Sequence, residues 1–216
     1  MKKTVFTLLT GALLYSCTPQ EVPVLSFIDD RDGTEYTMVK IGKQIWMAEN
    51  LAYLDETISS PTIGSETEPH YYVYDYNDTE VADAKATNNY KTYGVLYNFS
   101  AALTACPKGW RLPSDDDWTQ FEEYLKDNVG GKLKAKTYWN DPNTGATNKS
   151  GFSALPGGDR ITGGAFFSIG YYGYWWSSSG YNTSNAWYRC LSYDYSSVIR
   201  DSDNKAYGFS IRCVRD

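Results

Sequence analysis

The chain has 216 residues, a formal charge of −6 and a pI near 4.9, with 21% charged and 16% aromatic residues. That length suits one domain with small additions and is enough to bury a core. The 20 tyrosines and 7 tryptophans exclude a disordered chain, the acidic balance excludes a general nucleic-acid coat, and the single histidine, His70, excludes a multi-histidine metal site. Any Ser-His-Asp triad would have to use His70.

Residues 1–16 have the form of a secretory signal: Lys2 and Lys3, then a largely apolar run from Thr4 to Tyr15, too short for a stable bilayer span. Leu14-Tyr15-Ser16-Cys17 resembles a bacterial lipobox, which would make Cys17 the lipidated first residue of the mature protein. Residues 17–26, with Pro19 and Pro23, are expected to be a short tether. The expected location is the bacterial cell envelope, lipid-anchored at the outer membrane. With Cys17 used by lipid, Cys106, Cys190 and Cys213 remain, so at most one intramolecular disulfide can form and one thiol is left over.

Residues 27–216 are expected to form one α+β domain. Alternating Tyr36 and Met38, the β-branched Val39 and Ile41, and turn signals at Asp32-Gly33 and Gly42-Lys43 predict a hairpin within residues 27–53. Asp29, Asp30 and Asp32 do not follow EF-hand spacing, so a turn capped by aspartates is expected there. Residues 55–92 are polar and predict a long insertion with little regular structure, in which His70 beside Glu68 is expected to be a surface residue.

Leu96, Phe99, Leu103 and Cys106 recur at helical spacing, with alanines between them and Pro107 as a stop. Trp110 to Pro113 predicts a short strand. Ser114 then caps a second helix, with Asp115, Asp116 and Asp117 in its first turn and Trp118, Phe121 and Leu125 as its buried stripe. Capping accounts for the three aspartates without a metal. After Gly130-Gly131 short strands and turns are expected, including Trp139-Asn140, Gly151 to Leu155 and Gly163 to Phe167. Tyr207 to Val214 predicts a central strand with Phe209, Ile211 and Cys213 on one face.

Several of these segments, in order, resemble the Fibrobacter succinogenes major paralogous domain family: DRDGTEYTMVKIGKQIWMAENL, YGVLYNFSAALTACPKGWRLPSDDDW, GFSALPGGDR, YWWSSS and YGFSIRCVRD. The resemblance covers about residues 27–216. It implies a C-type-lectin-like fold, with two helices, short and mostly antiparallel strands and long loops. It also implies a disulfide between Cys106 and Cys213, leaving Cys190 free. Calcium-dependent sugar-binding lectins of that fold carry a Glu-Pro-Asn or Gln-Pro-Asp triplet, absent here, together with Trp-Asn-Asp, which occurs only at Trp139-Asn140-Asp141. GWRLPSDDDW also resembles formylglycine-generating enzymes, which need a pair of active-site cysteines. With two of the three remaining cysteines paired, no such pair is left. No metal or cofactor site is expected, and no enzymatic activity. Glu49, Asp159 with Arg160, and Asp201 with Asp203 form no recognised catalytic spacing.

Residues 171–205 differ from the rest: 23 of 35 are Tyr, Ser, Asn, Asp or Gly, and none is Glu. Trp175, Trp176, Ala186, Leu191 and Val198 read as apolar anchors carrying a polar, tyrosine-rich face. That is the composition of antibody paratopes, in which tyrosine offers broad contact at small entropic cost. The segment also resembles the variable proteins of diversity-generating retroelements, where mutated template adenines turn an asparagine codon into Tyr, Ser, Asp, Gly, Thr or Cys. Cys190 would be one such outcome. The ligand-facing residues are expected to be Tyr174, Tyr181, Asn182, Asn185, Tyr188, Arg189, Tyr193, Asp194 and Tyr195, with Arg189 meeting a carboxylate. The expected partners are a glycan or a protein, and the membrane through the N-terminal lipid. The alternatives are a structural envelope protein and an enzyme related to the formylglycine-generating proteins.

Overall fold

The computed structural model describes residues 25–54 and 64–215. The signal segment 1–16, Cys17 and the tether up to residue 24 lie outside the described residues, as do residues 55–63 of the expected insertion.

The described chain is a mixed helix-and-sheet domain with its strands in several small antiparallel sheets. Strands β1 (Leu25–Ile28), β2 (Glu35–Ile41) and β3 (Gln44–Met47) form the expected meander. Gly42, at φ 63°, makes the two-residue turn between β2 and β3. The preceding turn is aspartate-capped, as expected. Asp29 accepts from Arg31 Nε (2.9 Å) and Nη2 (2.7 Å), and Asp32 accepts from the Thr34 amide. Burial would raise the Asp29 pKa, but the Arg31 hydrogen bonds and charge outweigh it and hold the carboxyl below its usual range.

Residues 64–92 depart from the expectation. They contain β4 (Tyr71–Tyr72), α1 (Val81–Ala86) and α2 (Asn88–Tyr93), the last capped by the Thr87 side chain. Helices this short carry little periodic signal; packing of Ala84, Val81 and Tyr90 on the core stabilises them more than propensity does. His70 is half-buried rather than a surface residue, with Nδ1 2.8 Å from the Tyr72 hydroxyl.

Leu96 and Tyr97 form strand β5, paired with β4, and helix α3 spans Phe99–Ala105 behind an Asn98 cap. The expected stripe is therefore shifted. The helix buries Phe99, Ala101, Ala102 and Ala105, and Leu103 is 49% exposed. Small alanines let the helix backbone lie close to the core, which the larger leucine would prevent. Strand β6 (Trp110–Arg111) and helix α4 (Asp115–Leu125) follow as expected. Ser114 and Asp117 form a reciprocal capping box, and Trp118 and Phe121 are fully buried.

Gly130 and Gly131, expected to precede strands, lie within helix α5 (Val129–Leu133). Each approaches a carbonyl too closely for any side chain: a Cβ on Gly131 would sit 2.2 Å from the Gly145 oxygen. Trp139-Asn140 and Gly151 to Leu155 form no ladder, although Ala154 bridges Lys134. Strands β7 (Asp159–Arg160) and β8 (Phe166–Phe167) pair with each other.

The long strands β9 (Tyr172–Gly180), β10 (Asn185–Ser192) and β11 (Ile199–Asn204) make a three-stranded sheet in the order β11-β10-β9. Strand β12 (Val214–Arg215) closes a five-stranded sheet, β1-β2-β3-β12-β6, and so is central to it. The residues before it run through single bridges from Phe209 to Tyr97 and from Ser210 to Trp175. Phe209, Ile211 and Cys213 share one core cluster, on one face as expected. The disulfide joins Cys106 to Cys213 and ties the end of α3 to β12, with the Cα atoms 5.9 Å apart. Arg212 points the other way and is fully buried. It donates to Asn50 Oδ1 and to the carbonyls of Phe152 and Ser153, pinning that turn to the hairpin. Among the described residues no helix is long and apolar enough to cross a membrane.

Candidate functional site

Residues 171–205 build the β9–β11 sheet and its loops, and strand alternation divides their side chains between two faces. One face carries Tyr172, Tyr174 and Trp176 from β9, Ala186, Tyr188 and Cys190 from β10, and Ile199, Asp201 and Asp203 from β11. The opposite face of β10 carries Trp187, Arg189 and Leu191 toward α4. Of the expected anchors, Trp175, Trp176, Ala186 and Leu191 are fully buried and Val198 is partly so.

The nine expected contact residues are therefore not brought onto one surface. Tyr174 and Tyr188 lie on the first face. Tyr174 stacks on Phe209 at 4.9 Å, and Tyr188 is 8% exposed with its ring 5.0 Å from that of Phe209. Tyr181 and Asn182 are exposed at the β9–β10 turn, where the Asn182 Oδ1 is already occupied by the Ser184 and Asn185 amides. Asn185 is half-buried opposite Asn204. Tyr193 packs edge-on against Tyr171, Asp194 accepts from the Ser192 hydroxyl, and Tyr195 is 61% exposed. That loop wraps the buried Lys134 ammonium, which donates to the carbonyls of Ser192 and Tyr195 at 2.8 Å each. Burial pushes the Lys134 pKa down to about 8.

Arg189 corrects the expectation outright. It is buried, and its guanidinium is bound to Asp115 at 2.6 Å and to Glu122 at 2.5 Å on α4. It ties the sheet to the helix and is not presented to a ligand carboxylate. Arg200, on the same side, is stacked 3.5 Å over Trp187 and also binds Asp115.

The first face holds residues that composition did not single out as contacts. Asp159 on β7 is 7% exposed and lies against Ser168, Asp203, Tyr174 and Tyr207. Its Oδ1 has no hydrogen-bond partner among the described residues. Burial raises the Asp159 pKa, the Ser168 hydroxyl offsets part of that, and Asp203 adds like-charge repulsion; the result is about 6. Tyr188 is flanked by Asp201, Asp203 and Asp159, and its hydroxyl pKa is raised by burial and then by those charges. Below the rings lies Cys190, a free thiol 3% exposed, raised far above the ordinary thiol range by burial and the nearby Asp159 and Asp201. Such a thiol is held protonated and inert. The arrangement is a cluster of packed tyrosine rings beside three aspartates, with one Asp159 carboxylate oxygen left without a partner among the described residues. No group of three His, Cys, Asp or Glu among the described residues is placed to hold a metal ion.

Gly158 and Gly173 allow this packing. Gly158 has φ 67°, and a Cβ there would meet the Phe167 carbonyl at 2.3 Å; one on Gly173 would meet Trp175 at 2.4 Å. A legible signal for Asp159 was its position in GFSALPGGDR, directly after a glycine pair, yet its nearness to Asp203 depends on long-range pairing. A separate cavity of about 740 Å³ opens between the β2–β3 hairpin, α2 and residues 135–155, lined by Glu49, Tyr90, Lys91, Lys136, Tyr138 and Asn148. Nothing in its residue spacing marked it beforehand.

No curated protein and no solved structure matches the chain. Residues 39–215 match the Fibrobacter succinogenes major domain, and the chain belongs to that family.

Proposed function

We propose that this protein is a lipid-anchored bacterial envelope protein that binds a glycan or protein ligand through the β9–β11 sheet, on a C-type-lectin-like domain. The observation that carries this reading is the cluster of tyrosines and aspartates at the edge of the first face of that sheet. Tyr174 and Tyr188 lie in contact, Tyr188 is close to Asp159, Asp201 and Asp203, and one Asp159 carboxylate oxygen has no partner among the described residues. A buried carboxylate oxygen left unpaired beside the sheet favours a ligand over a purely structural role, because an unsatisfied buried polar atom costs stability. Exposed Tyr181 and Tyr195 add contact area on the loops flanking the sheet. The order of a helix ending in Cys106, a short strand, a second helix and a final strand directly after Cys213 supports the C-type-lectin-like reading.

Seven residues, Thr18 to Val24, separate Cys17 from β1. Fully extended they reach about 25 Å, so a lipid on Cys17 would hold the domain close to the bilayer. The composition of residues 171–205 supports a retroelement origin. In that case substitutions among natural isolates would fall at polar positions such as Tyr174 and Asn182 and spare Trp175, Trp176 and Ala186.

The test is a glycan and cell-surface-protein array probed with the full chain carrying Cys17→Ser, beside the same chain with Tyr181→Ala, Tyr195→Ala and Asp203→Asn. Binding lost in the variant at unchanged melting temperature supports the sheet site. Binding retained moves the site away from it, with the 740 Å³ cavity as the next place to mutate. Concentration-dependent self-association with no array signal favours the structural envelope reading.

A further inference from the structure

We infer that the cavity between the β2–β3 hairpin, α2 and residues 135–155 is a binding site for a neutral oligosaccharide, with Tyr138 as the surface on which a sugar ring stacks. This site is separate from the sheet of the preceding reading and stands or falls independently of it.

The cavity has a rigid frame and unpaired polar groups. Its volume, about 740 Å³, is that of a small-ligand pocket. Asn50 donates to the Tyr93 carbonyl and the Ser210 hydroxyl and accepts from Trp175 and Arg212. Asn148 and Ser153 bond each other twice, at 2.9 Å each. Other lining groups have no protein partner among the described residues: the Lys136 ammonium and the Thr34, Thr92 and Thr137 hydroxyls.

Backbone strain falls at the same place. Of the eight described non-glycine residues with positive φ, Tyr138 (73°), Asn148 (52°) and Ser153 (53°) line this cavity. The mutual hydrogen bonds of Asn148 and Ser153 offset their strain. Tyr138 has no such return. Its ring is 58% exposed and only approaches Tyr93 edge-on, at 6.2 Å between centroids. The residues after it are pinned: Trp139 Nε1 donates to the Ala154 carbonyl at 2.9 Å and the Asn140 amide to the Gly170 carbonyl at 2.8 Å. The strained backbone thus holds a ring at the cavity without burying it. Strain from which the fold gains little is characteristic of ligand clamps.

The lining selects the ligand. The hairpin supplies Glu35 and Glu49, while α2 and the segment after Ala135 supply Lys91 and Lys136, so the formal charges cancel. No ion pair joins them among the described residues. Lys91 is held by the Ala86 carbonyl, which leaves Lys136 as the free cationic donor of the lining. A polyanion would meet two carboxylates here, and a polycation two ammonium groups. A hydroxyl both donates to a carboxylate and accepts from an ammonium, so one neutral sugar ring satisfies both signs. The aliphatic lining is Ala48, Ala52, Ala135 and Leu155, too little to bury a lipid chain. The C–H face of a sugar ring needs one flat aromatic surface, which Tyr138 offers while its hydroxyl stays in water.

The experiment is an NMR titration of the full chain carrying Cys17→Ser with neutral trisaccharides of glucose, mannose, galactose, xylose and N-acetylglucosamine. Trigalacturonic acid is the anionic comparison and glycylglycine the zwitterionic one. The expected result is saturable shifts of the Lys136, Tyr138 and Asn148 amides with at least one neutral trisaccharide, while the Tyr181 and Tyr195 amides stay in place. Tyr138→Gly should weaken that binding at least tenfold at an equal or higher melting temperature, because glycine adopts positive φ without strain. Tyr138→Phe keeps the ring and should stay within about threefold of the parent. Lys136→Met should weaken binding at an unchanged melting temperature. No shift with any neutral trisaccharide, shifts confined to Tyr181 and Tyr195, or full binding by Tyr138→Gly overturns the site. Tighter binding of trigalacturonic acid or glycylglycine overturns the ligand class. A marked fall in melting temperature in Tyr138→Gly makes the ring a structural one and overturns its stacking role. An array ligand lost through the sheet variants, with the trisaccharide shifts retained, leaves this site standing.

Discussion

Arg189 Nη1 donates to Asp115 Oδ1 over 2.6 Å, joining the middle of β10 to the first turn of α4. Burial alone would raise the Asp115 pKa, but the hydrogen bonds and charges of Arg200 and Arg189 outweigh it and hold it below the usual range. The contact locks one face of the three-stranded sheet to the helix, while Trp176, Ala186, Tyr188 and Cys190 on the other face pack into the core around Phe209. Arg189→Ala would leave Glu122 without its Arg189 hydrogen bond in a part-buried setting and open a void behind the sheet. The expected loss is about 3 kcal/mol of unfolding free energy, measured by urea denaturation. A loss below about 0.5 kcal/mol, as for a surface ion pair, would show that the contact does not organise the sheet.

The disulfide closes a loop between positions 107 residues apart. In the chain-entropy model such a link is worth roughly 4–5 kcal/mol. Cys106→Ala with Cys213→Ala should lower the melting temperature by many degrees, and added reductant should have no further effect on that variant.

Cys190 should resist labelling by a thiol reagent in the native chain and react only on unfolding, since it is buried and held protonated. Fast labelling of the folded protein would mean the sheet face opens readily.

Asp117 and Asp159 give pH dependence of opposite sign. Asp117, whose burial is outweighed by the Arg111 and Ser114 hydrogen bonds, is held at about 2 against 3.8. The unfolded chain therefore takes up a proton first, and stability falls as pH drops from about 4 to 2, by about 2 kcal/mol. Asp159, raised to about 6 by burial and by Asp203, keeps its proton longer in the folded chain. Its contribution is present below about pH 4 and is lost as pH rises through 6, on the order of 2–3 kcal/mol. Melting curves from pH 2 to 8 should show Asp117→Asn flattening the acid limb and Asp159→Asn flattening the fall in stability as pH rises from 4 to 6. An unchanged slope in Asp159→Asn would mean that its carboxyl is hydrated.

Tyr188 and Tyr181 separate core from contact surface. Tyr188→Ala removes a ring packed on Phe209 and Trp176 and should cost about 3 kcal/mol. Tyr181 is 55% exposed and Tyr195 is 61% exposed. Their alanine variants should stay within about 0.5 kcal/mol of the parent in denaturant titrations.

Much of the frame was legible because it is local. Turn chemistry marked the β2–β3 hairpin, a serine followed by aspartates marked the start of α4, and Trp175, Trp176, Ala186 and Leu191 were recognisable as anchors. The pairing of Cys106 with Cys213 came from motif resemblance, since spacing alone allowed other pairs. The short helices α1 and α2 escaped because six residues give no period and tertiary contact holds them. Alanines, rather than Leu103, line the buried side of α3 because close approach outweighs side-chain size there. The sequence by itself determined that residues 171–205 would carry apolar pegs beneath a tyrosine-rich polar set, because composition is written residue by residue. Only the tertiary structure decided which tyrosines share a face, that Arg189 is spent on α4, and that Asp159 meets Asp203. Strand register sets which side each residue faces, and pairing across many intervening residues sets what it meets there.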